Sequence, residues 1–368
     1  MTVSLAQCVE AVAAAYDPAA AEEWDAVGLV SGDPADAVQR VHVAVDPTPD
    51  VVAEAVDAGA QLLLVHHPLL LRGVHGIAET TPAGRVLGAL TRARCGLLTA
   101  HTNADVALPG VSDALLAALG LPAEGASALA PTVAELDGLV VYVPGDRRAA
   151  LHAALSAAGA GRLGDYEACA WWGSGTGTFL PLPGANPAIG QVGTAEQVPE
   201  DRLEMVLPRA ARDAVIAALR AAHPYEEPAF WLWPLAVPRR GGLGRVVELP
   251  APTTLGAFTT AVRQGLPATV WGVRASGDAG QTVRRVAVCG GAGGDLAGAA
   301  AAAGADVLLT SDLKHHVALD APLPLIDAAH WATERPWCDQ AAGVLRAAFG
   351  DRVTVTVSDR RTDPWTHV

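Results

Sequence analysis

Apolar residues recur along this chain in two rhythms. Short unbroken runs such as Leu62-Leu-Leu-Val65 have the length of buried strands, and longer stretches repeat apolar positions every three or four residues, the period of a helix. The first third gives helices over 5–16, 48–58, 81–94 and 111–119, and strands over 40–46, 61–65 and 96–100. The last third gives strands over 284–288, 306–309, 323–326 and 353–357, with helices over 295–303 and 333–348. Strands alternating with helices at this spacing imply βαβ units and a mainly parallel sheet. The middle of the chain reads differently, with strands over 139–143, 166–172, 177–180, 203–207 and 229–233 and helices over 146–157 and 210–222. Its order, β-α-β…β-α-β, predicts a ferredoxin-like sandwich. Residues 238–244, Pro-Arg-Arg-Gly-Gly-Leu-Gly, read as a linker. The expected fold class is α/β: one split α/β domain with mainly parallel sheets, built from residues 1–128 and 239–368, interrupted by a ferredoxin-like α+β insertion at 129–238.

The candidate chemistry gathers where the expected strands end. The run 61–65 finishes in His66-His67-Pro68. Adjacent strand residues point to opposite faces, so two consecutive imidazoles serve one site only where the backbone leaves the strand, and Pro68 stops it from continuing. The strand 96–100 ends in His101-Thr-Asn-Ala-Asp105, and the strand 323–326 in Asp327-Ala-Ala-His330-Trp-Ala-Thr-Glu334. In open parallel sheets functional groups collect outside the carboxyl ends of strands. His330 and Glu334 are four apart and share one face of an opening helix. The candidate ligand set is His66, His67, Asp105, His330 and Glu334. Three imidazoles and two carboxylates exceed the protein ligands of a mononuclear zinc site and suit two adjacent divalent ions, with a carboxylate able to bridge. Zn, Fe and Mn all accept such donors. His101, His315, His316, Asp46 and Asp312 are candidates for orienting the ligands, and His101 and His316 for moving protons.

Composition narrows the class. The net charge of −14 argues against a nucleic-acid backbone as partner. The charged fraction of 17% suggests that other subunits cover part of the surface. Five cysteines are scattered without a CxxC pair, which favours a reduced, cytoplasmic setting. The first basic residue is Arg40, so the positive region of a signal peptide is absent, and the Ala-rich stretch 296–305 is too short and interrupted to span a membrane. Gly173-Ser-Gly-Thr-Gly177 has the composition of a phosphate loop, but no Lys follows and it reads as a flexible hairpin. Gly290-Gly-Ala-Gly-Gly294 misses the dinucleotide spacing and reads as a tight turn. His223, Glu226 and Glu227 read as a turn before a strand.

Several of these motifs occur together in a known family. Trp24-Asp-Ala-Val-Gly-Leu, His66-His67-Pro, His101-Thr-Asn-Ala-Asp105, Thr310-Ser-Asp-Leu-Lys-His-His316 and the run 327–334 follow one another in this order. The sequence resembles the NIF-three-like family, often named GTP cyclohydrolase type 2 homologues. His223-Pro-Tyr-Glu-Glu-Pro228 is similar to its longer members, which carry a PII/CutA-like insertion. The resemblance implies two metal ions, one held by His66 and His330, the other by His67 and Asp105, with Glu334 bridging. It also implies a toroidal homohexamer and, as a candidate reaction, GTP ring opening by metal-assisted hydrolysis at C8 of the purine. A non-enzymatic hexameric metal-binding or regulatory scaffold is the alternative. The chain carries Asp25 where Asn is usual in that family, and Ser311 and Ala329 where Gly is usual.

Overall fold

The computed structural model describes residues 2–164 and 166–367, with side chains except at 133–135 and 237–240. The chain divides into two compact units, Met1–Thr132 with Arg240–Val368, and Val133–Arg239.

The first unit is α/β and contains two large sheets beside the small pair of Val3–Ser4 with Ala37–Val38. In one, Thr354–Val357, Arg40–Ala44, Leu62–Val65 and Gly96–Thr99 lie side by side in parallel, and Gly28–Ser31 adds an antiparallel edge. Every residue of Leu62–Val65 and of Gly96–Thr99 is buried, as expected of strands covered on both faces. In the other, Thr282–Ala292, Val307–Ser311 and Leu325–Ala328 run parallel. This trio is flanked by the antiparallel strand Val273–Ala275 and by residues 245–254 of the strand Phe230–Thr254. The helix His330–Phe349 joins the two sheets. Its Trp337, Cys338, Ala341 and Leu345 share one apolar cluster with Val41 and Leu64 of the first sheet and Val288 and Leu309 of the second.

A buried ion pair ties the halves of this unit together. Arg245 is 1% exposed and donates from Nε and Nη2 to both oxygens of Asp113, at 2.9 and 2.6 Å. Its remaining N–H groups reach the carbonyls of Ala107, Gly242 and Gly244. Asp113 also accepts the Gly110 N–H at the start of the helix Val111–Ala118. A buried charge with its hydrogen bonds filled is tolerated, and the same charge without its partner is costly.

The second unit follows the order strand, helix, strand, strand, helix, strand. Glu196–Pro208 lies between Ser127–Pro144 and Ala170–Phe179, antiparallel to both. Leu139, Val141, Leu203 and Leu207 pack against Leu151 and Leu155 of Arg148–Ala157 and Val215 and Leu219 of Arg212–Ala222. Among the described residues no helix is long and apolar enough to cross a membrane.

Three local expectations are corrected. The strands expected at 166–172 and 177–180 are one strand, Ala170–Phe179, and the Gly173–Gly177 hairpin lies inside its ladder. The glycines there make room for side chains: a Cβ on Gly173 would lie 2.7 Å from the Trp171 ring, and one on Gly177 2.0 Å from Glu200 Oε2. The expected linker 238–244 is part of the strand Phe230–Thr254. The helix expected from 333 begins at His330, which places both His330 and Glu334 within it. Pattern reading also missed the helix Leu255–Gly265 and the edge strand Gly28–Ser31.

Replacing Arg245 by Met strands the Asp113 charge in the interior, so unfolding by urea should show a loss of about 3–5 kcal/mol. An unchanged midpoint would mean that the pair contributes nothing to holding the halves together.

Candidate metal centre

The backbone explains how two adjacent histidines serve one site. Strand pairing stops at Val65, and the N–H groups of His66 and His67 both donate to the Val45 carbonyl, at 3.1 and 2.9 Å. That shared acceptor turns the chain out of the strand, and the two rings lie side by side with centroids 5.0 Å apart. On the neighbouring strand the chain leaves at His101 and winds into the short helix Thr102–Asp105, whose last residue supplies a carboxylate. His330 and Glu334 face the same point from the first turns of the long helix.

Glu334 is the centre of the group. It is 3% exposed. Its Oε1 lies 2.9 Å from His330 Nε2 and 3.6 Å from His66 Nε2, and its Oε2 lies 3.1 Å from His67 Nε2. Asp105 Oδ1 is 3.6 Å from His66 Nε2. The five residues singled out as ligands are thus brought together. His101 joins them, since its ring offers a nitrogen within 4.8 Å of nitrogens of His66 and His67. His316 stands on the short helix His315–Asp320 against His315, and no described contact links it to the cluster.

Each imidazole is held from behind. His66 Nδ1 donates to the Ala100 carbonyl at 2.8 Å, and His67, His101 and His330 donate from Nδ1 to Asp46, Asp25 and Asp312 at 2.7, 2.8 and 2.7 Å. A carbonyl or ionised carboxylate only accepts, so every Nδ1 carries the hydrogen and each neutral ring keeps an Nε2 lone pair. Asp46 is itself held by the Thr362 hydroxyl. Asp25 also takes the Thr102 N–H at 3.0 Å, so this one acid holds both the His101 ring and the start of the short helix. Nothing in the sequence near His101 points to a partner 76 positions away.

The charges in the cluster act strongly on one another. Burial disfavours charge on His67, but the Glu334 carboxylate, with Asp46 behind, outweighs it and lifts the imidazole to about 11. His330 rises to about 10 against the same penalty, through Glu334 and Asp312. Burial alone would raise Glu334, and the facing His67, His330 and His66 hold it well below the usual carboxylate range. Asp105 is pushed up to about 6, chiefly by burial. His101 is lowered by burial and then by the neighbouring His66, which keeps it neutral.

The donor set fits divalent ions. His66 Nε2 and Glu334 Oε2 are buried without a well-aligned hydrogen bond, though each faces a partner across the cluster, a state that a bound cation improves. Donors bound to one ion at about 2.0–2.2 Å lie roughly 3–3.6 Å from each other, the spacing seen between Glu334 and the three imidazoles. Gly291 makes the closest approach. Its φ of +66° is in the left-handed region, and a Cβ there would lie 2.3 Å from Glu334 Oε1 and 3.2 Å from His330 Nε2. The glycine-rich turn is therefore a backbone wall of the cluster, a role its spacing did not reveal.

The sequence model of the Duf34/NIF3 (NGG1p interacting factor 3) family matches residues 3–364, and the chain belongs to that family. A Mycobacterium tuberculosis protein called GTP cyclohydrolase 1 type 2 homolog is 52% identical over 370 residues, covering 99% of this chain and 97% of its own. The crystal structure of a Bacillus cereus protein related to NIF3 superposes with a TM-score of 0.72 at 34% identity, covering 100% of both chains. Staphylococcus aureus protein SA1388 superposes with a TM-score of 0.80 at 27% identity, over 100% of this chain and 99% of its own.

Two outcomes are expected. Gly291→Ala should displace Glu334, lower the melting temperature because Ala is strained at this φ, and cut the divalent metal retained after dialysis by the still-folded chain; full retention would remove the wall role. In the ion-free chain His67 and His330 hold protons at neutral pH, and an ion must displace them. Apparent affinity in a chelator competition should therefore rise from pH 6 to pH 8, by about tenfold per pH unit for each proton displaced. A flat profile would mean that neither imidazole binds metal.

Proposed function

We propose that the cluster holds two divalent metal ions, Zn, Fe or Mn, and that the protein is a metal-dependent hydrolase with GTP ring opening as its candidate reaction. The observation carrying this reading is the two-sided use of Glu334: Oε1 faces His66 and His330, Oε2 faces His67. One ion would be held by His67, His330 and Glu334, whose donor atoms lie within reach of one another, and the other by His66 and Asp105 with Glu334, a different division from the one the resemblance implies. Bound there, the ions would supply Lewis acidity and an activated water at neutral pH. The chain supplies the rest. Asp46, Asp25 and Asp312 orient the rings, and His101, neutral and anchored through Nδ1, is placed to take up a proton at Nε2. The name borne by the Mycobacterium tuberculosis relative supports GTP as the first substrate to try. A homohexamer in the cytoplasm belongs to the same reading. Cys8, Cys95, Cys169, Cys289 and Cys338 are all free thiols, which supports a reducing compartment.

A second reading, a metal-binding scaffold that docks partners, is favoured by the exposed indoles of the second unit, Trp171 at 59% and Trp231 at 55%.

Metal per chain, measured by elemental analysis on the wild type and Glu334→Ala, tests the centre. Two ions are expected, falling sharply in the variant. One or none, with Zn, Fe and Mn offered, would sink the dinuclear reading. His101→Ala should keep its metal and lose metal-dependent GTP turnover; loss of an ion instead would make His101 a ligand. Metal-loaded wild type without turnover would favour the scaffold.

A further inference from the structure

One edge of the cluster opens into a cleft of about 350 Å³, bordered by His67 and His330 on the cluster side and by Trp271, Asp363 and Trp365 on the other. That volume lies within the range of small-molecule sites. Three features define what it would hold.

The first is an aromatic platform. Trp271 and Trp365 have ring centroids 5.9 Å apart with planes inclined by 31°, too close to admit a ring between them, so a flat ligand can lie only on an outward face of the pair. Both indoles are partly open to solvent, Trp365 at 55% and Trp271 at 37%. Trp271 is fixed by the Arg274 guanidinium, 4.3 Å from its ring centroid, and Arg274 is fixed by Asp327 at 2.7 and 3.1 Å. A braced, exposed indole pair offers flat π surface to a flat ligand.

The second is an unspent carboxylate. Three aspartates border the cleft. Asp46 is occupied by His67 and Thr362, and Asp312 by His330. Asp363 is 5% exposed, and its Oδ2 is buried without a hydrogen-bond partner. Its carboxyl takes the backbone N–H of Trp365, so the same residue sets the platform. A buried carboxylate oxygen without a protein donor is a place that a ligand N–H reaching it would fill.

The third is distance from charge of the right sign. Among the described residues no Arg or Lys lines the cleft. Any anionic group must therefore be met at the cluster, while Asp363, when ionised, only accepts and takes its donor from the ligand.

We propose that this cleft binds a flat heterocycle bearing N–H donors on its edge, stacked on an outward face of the pair Trp271 and Trp365 and read by Asp363. This names a substrate class for the hydrolase reading above and rests on it. Trp365 and Asp363 are specificity-determining residues, and Asp327 and Arg274 are positioning residues acting through Trp271. Stacking supplies binding that tolerates different rings, and the carboxylate distinguishes rings by their N–H edge.

The test is calorimetric titration of the metal-loaded full chain with GTP, with ITP, which lacks the exocyclic amine, and with inorganic triphosphate, which lacks the ring. GTP should bind tighter than triphosphate. Trp365→Ala should weaken GTP binding about tenfold or more, with triphosphate binding unchanged. Asp363→Asn, which keeps an oxygen for the Trp365 N–H, should weaken GTP more than ITP. Equal affinity for GTP and triphosphate, or a Trp365→Ala chain that binds GTP as the wild type does, would overturn the proposal. Metal content measured on the same samples separates the two readings. Two ions per chain with no ring-dependent binding would discard the cleft alone. Ring binding that needs Trp365 in a chain that holds no metal would discard the metal centre and keep the cleft.

Discussion

The arrangement depends on one buried negative charge. Glu334 is 3% exposed and faces three imidazole nitrogens. A carboxylate that deep is tolerated only when opposite charge meets it, whether protons on the rings or cations between them. Much of the surrounding structure serves that condition. The long helix carries Glu334 inward between two sheets, Gly291 withholds a side chain so that the carboxylate fits, and the Val45 carbonyl turns two successive histidines towards it. The carboxylates behind His67, His101 and His330 add a second layer of negative charge, which makes those imidazoles stronger lone-pair donors.

Part of this was legible in the sequence because it is local. The run Leu62–Val65 ending in His66-His67-Pro68 states a strand and its end in consecutive letters. The i, i+4 pair His330 and Glu334 states a shared helix face. What could not be read is what distant segments supply. Asp25 reaches His101, Thr362 reaches Asp46, and Asp363 and Trp365 close the cleft from near the chain's end. No periodicity encodes such meetings, since they depend on which strands become neighbours. The glycines of Gly173–Gly177, misread as a hairpin, and of Gly290–Gly294, a turn whose wall role went unread, share a cause. Composition marks a glycine as permissive, but whether it serves a turn or a close approach depends on the side chain arriving opposite.

The two units differ in what sequence distance demands of them. The second is contiguous, and its antiparallel ladders link segments that follow closely along the chain. The first draws its sheets and its core from both ends of the sequence. Arg245 and Asp113 are 132 positions apart, yet share a fully buried pair.

That layout sets an order in time. The strand Thr354–Val357 pairs with Arg40–Ala44, and His42 bonds to Thr356 at 2.8 Å. A ribosome emits His66, His67 and Asp105 early, then the whole contiguous middle unit, and only near the end His330, Glu334 and the closing strand. The parallel sheet of the first half stays without its edge partner for most of translation, and an open edge is a template for unwanted pairing. The cluster can therefore be completed only after the middle unit has been made, and a chain truncated before residue 330 would carry three of the five candidate ligands and an unpaired strand.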